Sequence, residues 1–449
     1  MICRVTYAWC RLAARAACRH AGENNIMELV QDRETASVIE TPSVDPAHLF
    51  PTPGHVPPEL IRPFPFILGA KTKVRPHSFI PAYHDGPEVF WAERAYNGIR
   101  GAWIPRKVED LHTVYNDQEH FCARDFAPFA RLLGEDWFLV PAEADAPDHA
   151  ILRALVNPVF TPKRMAALED KIRQYAREYV LSFRDRGHCE FMRDFAFEFP
   201  IKVFVELMGL PQERVGEFLQ WEHKLLHEPD IQEIIKATRA VVDYLKEEMA
   251  DRRKNPRDDL ISFGIQTEKN GRVLNDKELL GFCFNLFIGG LDTVSTNMAW
   301  QFHHLAENPE DQARLRANPE MIPGAIDEMM RFYASVATSR ECIKETTLKG
   351  VTIKPGDKVL LPTFLAGHDP EAYDDPEKVI IDRNARHVSF GYGPHLCIGM
   401  HLARREMRIA LEEFLSEIPE FRLAPDADIT YYLAAIVQPV ELPLVWQTK

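Results

Sequence analysis

The chain runs to 449 residues, 46% of them hydrophobic, with a formal net charge of −14 at pH 7. That length suits one large domain or two to three average ones, and it offers ample material for a core. So acidic a chain is a poor general ligand for nucleic acid or an anionic membrane, and its eight cysteines, with no regular framework and no Cys-x-x-Cys pair, fit a reducing compartment.

Residues 1–26 stand apart. They carry Arg4, Arg11, Arg15 and Arg19 against a single acid, Glu23, together with Cys3, Cys10 and Cys18. An arginine-rich, acid-poor start has the charge of an organelle transit peptide, but this one is not serine-rich. The expectation is a disordered extension or a mis-called start, with Met27 as the natural beginning and residues 27–449 forming one domain. Residues 41–87 are rich in proline and aperiodic, and should wrap the surface as an irregular arm.

Short strands are expected at Val89–Trp91 and Ala102–Ile104. From Pro105 to about Phe332 the pattern is mostly helical, punctuated by Pro141, Pro147, Pro158, Pro162, Pro200, Pro211 and Pro229. Asn275, with Glu278 three residues on, makes a capping box that opens a long helix ending near Asn308-Pro309. Its most apolar stretch, Leu279 to Leu291, is interrupted by Gly281, Asn285 and the Gly289-Gly290 pair, so no apolar run is expected to span a membrane. Two adjacent interior glycines cost about 1 kcal/mol each relative to alanine. Such a pair marks a kink or a close approach. Asp292 and Thr293 follow at once, a carboxylate and a hydroxyl in a mostly apolar helix. Taken alone, this is also what a packing glycine pair and a threonine bonded back to the preceding turn would look like.

After Arg340, short strands are expected at Cys342–Ile343, Val351–Ile353 and Lys358–Leu361, then loops, and a last strand within Val440–Trp446. Phe390-Gly391-Tyr392-Gly393-Pro394-His395-Leu396-Cys397-Ile398-Gly399 places a cysteine among glycines. Directly behind it Met400, Ala403, Met407, Ala410, Leu411 and Phe414 recur at helical spacing. A sulfur at that junction faces free backbone N–H groups and the positive end of a helix dipole, both of which favour thiolate. Gly393 and Gly399 leave room for a flat cofactor against the backbone. A lone thiolate suits one axial bond to heme iron better than a four-ligand zinc site. The fold class is mainly α with a small β subdomain, without repeats or a low-complexity linker.

The cysteine segment resembles the heme signature of the cytochromes P450, Phe-x-x-Gly-x-x-x-Cys-x-Gly. Similarity to the bacterial, ferredoxin-dependent camphor 5-monooxygenase branch runs from about Ala95 to Trp446. It includes Gly-Gly-Leu-Asp-Thr-Val (289–294), Arg-Ala-Leu-Val-Asn-Pro-Val (153–159), His-Leu-Ala-Arg-Arg-Glu (401–406) and Leu-Pro-Leu-Val-Trp (442–446). The resemblance implies the cytochrome P450 fold, heme b as cofactor and Cys397 as its iron ligand. It makes Gly289 and Gly290 the notch for dioxygen, Thr293 the oxygen-side hydroxyl and Asp292 the acid that relays protons. His149, Arg153, Arg340 and His395 match its contacts to the heme propionates. Glu328 and Arg331, with Arg383, match a buried ion cluster that braces the heme loop. Arg153, Arg404, Arg405 and Arg408 would gather as a positive spot for an acidic ferredoxin.

Departures fall where substrate choice would be set. Trp137 takes the place of the branch's substrate-reading tyrosine, and Asn285 that of a pocket leucine, while Ile288, Val336 and Val437 keep the pocket apolar. The implied activity is insertion of one oxygen atom of O2 into a small hydrophobic substrate, terpenoid or aromatic. Electrons would come from a [2Fe–2S] ferredoxin and its NAD(P)H-dependent reductase, in the cytoplasm, with no part for nucleic acid or membrane. Two other classes stay open: a non-catalytic heme-thiolate sensor, for which Asp292 and Thr293 would have no use, and a peroxide-driven heme enzyme.

Overall fold

The computed structural model describes residues 39–448 apart from Asp125, Phe126, Pro229 and Leu291, so the expectation for residues 1–26 lies outside the described residues. The capping box forms as the sequence implies. The Asn275 side chain accepts from the Lys277 and Glu278 N–H groups, and Glu278 reaches back to the Asn275 N–H. From it runs the helix Asp276–Gly289, followed by a second helix, Asp292–Glu307. The glycine pair therefore sits at the junction of two helical segments. Every residue from Val294 to Ala306 is buried, so this second helix is the centre of the fold.

One expectation needs correction. Asp276–Glu307 is long and apolar enough to cross a membrane by length and composition, with a mean hydropathy of 1.4 over its best window. Of that window 76% is buried inside the protein, so the apolar character serves the core.

Helices Glu169–Phe183, Glu198–Met208, Val215–Leu226, Ile231–Lys254, Ile322–Phe332 and Met400–Glu417 complete the helical body. Trp300 ties the central helix to its surroundings. Its ring stacks on Tyr333 and on Tyr431, with centroids 5.5 Å apart in both cases, and its N–H donates to the Val437 carbonyl at 2.8 Å. Gly281 explains itself by packing: a Cβ there would lie 1.8 Å from the Phe138 carbonyl oxygen, so only glycine lets the 138–140 segment rest on the helix.

The β structure is small. Five strands lie in the order Val89–Tyr96, Arg100–Pro105, Lys358–Pro362, Ala337–Cys342, Phe121–Cys122. Lys358–Pro362 runs parallel to Arg100–Pro105 and antiparallel to Ala337–Cys342. A second sheet joins Ile39–Glu40, Ala70–Thr72, Tyr431–Leu433 and Val437–Pro439. The strand expected at Cys342–Ile343 begins at Ala337. The one expected over Val440–Trp446 is Pro443–Trp446, and a strand not expected, Val437–Pro439, precedes it in a different sheet. Pairing partners far along the chain decide those boundaries, which local propensity does not report.

The loop region before Cys397 hangs on one buried ion cluster. Arg331 and Glu328 are both fully buried and meet through two hydrogen bonds, 2.9 and 2.8 Å. Arg331 also donates to the carbonyls of Gly367, Pro376 and Lys378, while Glu328 accepts from Arg383 and from the Ile380 N–H. Every charge and fork position is used. Glu328→Gln should strand the guanidinium and cost about 3–5 kcal/mol. Chemical denaturation should show that loss; a variant as stable as the parent would remove the bracing role.

Candidate active site

Cys397 lies between a short 3-10 turn, Gly393–His395, and the helix Met400–Glu417. Gly391 and Gly393 have φ of 73° and 66°, the left-handed turns that fold the loop back. The Cys397 N–H donates to the Phe390 carbonyl at 2.9 Å, which closes the loop on itself. Gly393 is needed for packing rather than for cofactor clearance, because a Cβ there would sit 2.4 Å from Asn116 Oδ1. At Gly399 the nearest atom to such a Cβ is the Cys397 sulfur, at 3.9 Å.

Among the described residues Cys397 is the one exposed cysteine; Cys122, Cys189, Cys283 and Cys342 are buried. The protein packed around the loop nevertheless desolvates the thiol and pushes it up from its ordinary value. The Gly399 N–H, Arg153, the Met400 N–H and Arg404 pull the other way. The helix-terminus effect expected from sequence is present, but the protein's own groups do not outweigh burial. A metal ion would, since a coordinating thiol is deprotonated outright.

Four bases lie close to one another, with Arg153 the one nearest the sulfur. The Arg153 guanidinium donates to the Leu396 carbonyl at 2.6 Å, one residue before Cys397. His149 and His395 rings lie 4.1 Å apart. Arg340 is 7% exposed, donates to the Ser339 carbonyl and sits over the Tyr115 ring. Neither Arg153 nor Arg340 has an ion-pair partner among the described residues. Burial lowers both guanidinium groups, and His395 is pushed down to about 3 by burial, then by Arg340, His149 and Arg153. His149 Nε2 is buried without a hydrogen-bond partner. Two guanidinium groups with no ion pair among the described residues and one unbonded ring nitrogen therefore stand together here.

Across from these groups in sequence, the otherwise buried central helix pair has one accessible stripe. Gly289 is exposed, Asn285, Ile288, Gly290 and Thr293 are half-buried, and a Cβ on Gly289 would meet nothing within 4 Å. Gly290 differs, since its Cβ would press on Phe204 at 2.8 Å. Thr293 Oγ donates to the Gly289 carbonyl at 3.2 Å, the back-bonded geometry of a threonine in a helix. The hydroxyl is bonded back to the preceding turn, and its lone pairs remain free to accept. Asp292 is 1% exposed, with Oδ2 3.1 Å from His227 Nε2 and Oδ1 without a partner. Sequence reading missed His227. Nothing local pairs residues so far apart, although a histidine at the C-cap of a helix is a weak flag.

The specificity positions are less uniform than expected. Trp137 is buried against Phe284, and its N–H donates to Glu135 at 2.7 Å, so its ring alone is left for a ligand. Asn285 donates to the Val140 carbonyl at 3.1 Å and keeps its own carbonyl oxygen free. Val437 is 1% exposed and belongs to the main core beneath Trp300. Ile436, half-buried and bridged to Val336, holds the accessible position instead. Alternation along a strand turns a one-residue difference into the opposite face.

The sequence profile described as Cytochrome P450 matches residues 210–430. The chain is 36% identical over 380 residues to "Probable cytochrome P450 127A1" of Sinorhizobium fredii, covering 83% of this chain and 91% of that protein. The chain belongs to the cytochrome P450 family. It is also 32% identical to "Mycinamicin IV hydroxylase/epoxidase" of Micromonospora griseorubida, over 77% of this chain and 89% of that one. Among solved structures it is similar to cytochrome P450 CYP101C1, with a TM-score of 0.78 and 33% identity, and to CYP101J2, with 0.79 and 29%. Those alignments cover 88% and 89% of this chain and the whole of each structure.

P450 proteins bind heme b, and this site fits it. Cys397 offers an accessible sulfur, the unpaired bases suit two propionate carboxylates, and Gly289 offers a helix surface with nothing above it. The arginines expected as a ferredoxin patch are less free than the sequence suggests. Arg404 pairs with Asp327, Arg405 with Glu169, and Arg408 with Glu169 and Glu412. Cys397→Ser should abolish the red-shifted Soret band of the reduced carbon monoxide complex; its retention would place the ligand elsewhere. Arg340→Met should speed heme transfer to apomyoglobin by about tenfold, roughly one charged hydrogen bond.

Proposed function

We propose that this P450 hydroxylates a small hydrophobic molecule, terpenoid or aromatic, in the cytoplasm. The electrons would come from a [2Fe–2S] ferredoxin and its NAD(P)H-dependent reductase. The observation that carries the reading is Asp292 beside Thr293 at the helix junction, an acid and an alcohol at the edge of an accessible stripe on the central helix pair. When bound, heme supplies the iron at which dioxygen is activated. The protein's part is to admit protons one at a time and keep bulk water out. Thr293, its own proton held by the Gly289 carbonyl, accepts at the site. Asp292, buried beside it, is the group through which a proton is relayed.

Ile288, Val336 and the Trp137 ring give an apolar wall, and the free carbonyl of Asn285 gives one polar contact. The similarity to the CYP101 structures supports a small substrate and a ferredoxin donor. A sensor would have no use for the acid and alcohol, and neither would an enzyme that draws on peroxide. Electron delivery falls to the rim around Cys397, where paired arginines leave the contact to be made by shape and by exchange of ion-pair partners.

Thr293→Ala should bind substrate normally yet divert electrons into hydrogen peroxide, while Asp292→Asn should slow turnover by about a hundredfold with little peroxide. Following NAD(P)H, product and peroxide together separates the two defects. Full coupling in Thr293→Ala would refute the assignment. Asn285→Leu should reorder affinities across a ketone, alcohol and hydrocarbon series, because a buried acceptor discriminates by its missing partner. Trp137→Phe should change fit but not that polar ranking. Spin-state titrations read both, and an unchanged order in Asn285→Leu would remove it from the pocket.

A further inference from the structure

Asp292 is not alone. The helix Val215–Leu226 ends beside it and contributes Glu222, with His227 at its C-cap. One carboxylate oxygen of Glu222, one of Asp292 and one His227 ring nitrogen lie within 4.8 Å of one another. Glu222 is 3% exposed and Asp292 1% exposed, and each keeps one oxygen with no hydrogen-bond partner. We propose that Glu222 and His227 are the groups through which Asp292 regains its proton after each transfer. The proposal rests on the role given to Asp292 above.

Two buried carboxyl groups this close cannot both be ionised cheaply. Burial, and then the charge of Asp292, push Glu222 well above the usual carboxylate range, which favours the proton on Glu222 while Asp292 carries the charge. The contact with His227 works in either direction. His227 Nε2 lies 3.1 Å from Asp292 Oδ2 and 3.2 Å from the Gln438 side-chain nitrogen. With Nε2–H the imidazole donates to the Asp292 carboxylate. With Nε2 unprotonated, its one lone pair accepts either from a protonated Asp292 or from the Gln438 amide. Thr296 holds Gln438 by a 2.7 Å bond, and Tyr432 stacks on the His227 ring, so the imidazole stays in place in both states.

A path outward exists. The His223 ring is 5.3 Å from that of His227, and His223 is exposed. Burial and His227 lower His223; Asp292 and Glu228 raise it, and Lys71 lowers it. The transfer balances without any further reactant. The O–H bond of Glu222 breaks as its proton passes to an Asp292 oxygen, across a span one water bridges. Solvent returns a proton through His223 and His227. Glu222 and His227 are positioning residues, acting on the reaction only through Asp292.

The test begins without turnover. Infrared spectra of the heme-loaded protein at neutral pH should show the carbonyl stretch of a protonated carboxylic acid that Glu222→Gln removes and His227→Gln shifts. Glu406, buried and also pushed well above the carboxylate range, is the control, since Glu406→Gln should leave the Glu222 band in place. In turnover with any competent ferredoxin, Glu222→Gln and His227→Gln should each lower kcat about tenfold, raise the solvent deuterium isotope effect and flatten the pH profile. KM and the substrate-induced spin shift should stay as in the parent. No Glu222 band, or an unchanged isotope effect and pH profile, would overturn the proposal. So would one equivalent of Co2+ binding with d–d bands lost in Glu222→Gln, which would mark a cation site. Failure of the parent to turn over with any donor would count against the function proposed above, and leave the infrared result to decide this one.

Discussion

A polar group buried without its partner is among the costliest things a fold can contain, and this one holds two such groups. Arg153 and Arg340 form no ion pair among the described residues and lie beside His149 and His395, both held below the ordinary imidazole range, while Glu222 and Asp292 are buried carboxyl groups with His227 against them. Neither group balances the other. The first is resolved by a dianionic cofactor. The second is resolved by keeping one carboxyl protonated, which is what a device for moving protons requires.

The rest of the structure serves those two imbalances. Val294–Ala306, buried throughout, gives the acids a rigid support, and the glycine pair at its start opens the stripe where they can act. The Glu328–Arg331 pair shows the contrasting solution. There every guanidinium and carboxylate position is matched, and the reward is a fixed path for the chain toward Cys397. The sulfur itself gains from the Gly399 and Met400 N–H groups and two arginines but remains raised by burial. Its ligand character is therefore completed by the metal rather than prepared in full by the protein.

Much of this was legible in the chain. Asn275 with Glu278 announced the cap and the glycine spacing around Cys397 announced its loop, because each is a short-range pattern with a local cause; Glu328-x-x-Arg331, a spacing any helix surface offers, was legible as an ion cluster only through the family resemblance. What escaped was long-range or orientational. His227 meets Asp292 across a distance in sequence that no periodicity spans. Val437 and Ile436 exchange places because a strand's face depends on its partner. The Trp137 N–H and the arginines of the last long helix looked available, yet Glu135, Asp327, Glu169 and Glu412 had already taken them. Composition counts charges; only the fold pairs them.

The most direct measurement is a crystal structure of the heme-loaded protein. The account predicts the Cys397 sulfur on the iron, with Arg340 and at least one of His149 and His395 within hydrogen-bond reach of propionate oxygens. His227 should still be bonded to Asp292. A structure in which those bases turn to solvent, or another side chain ligates the iron, would contradict it.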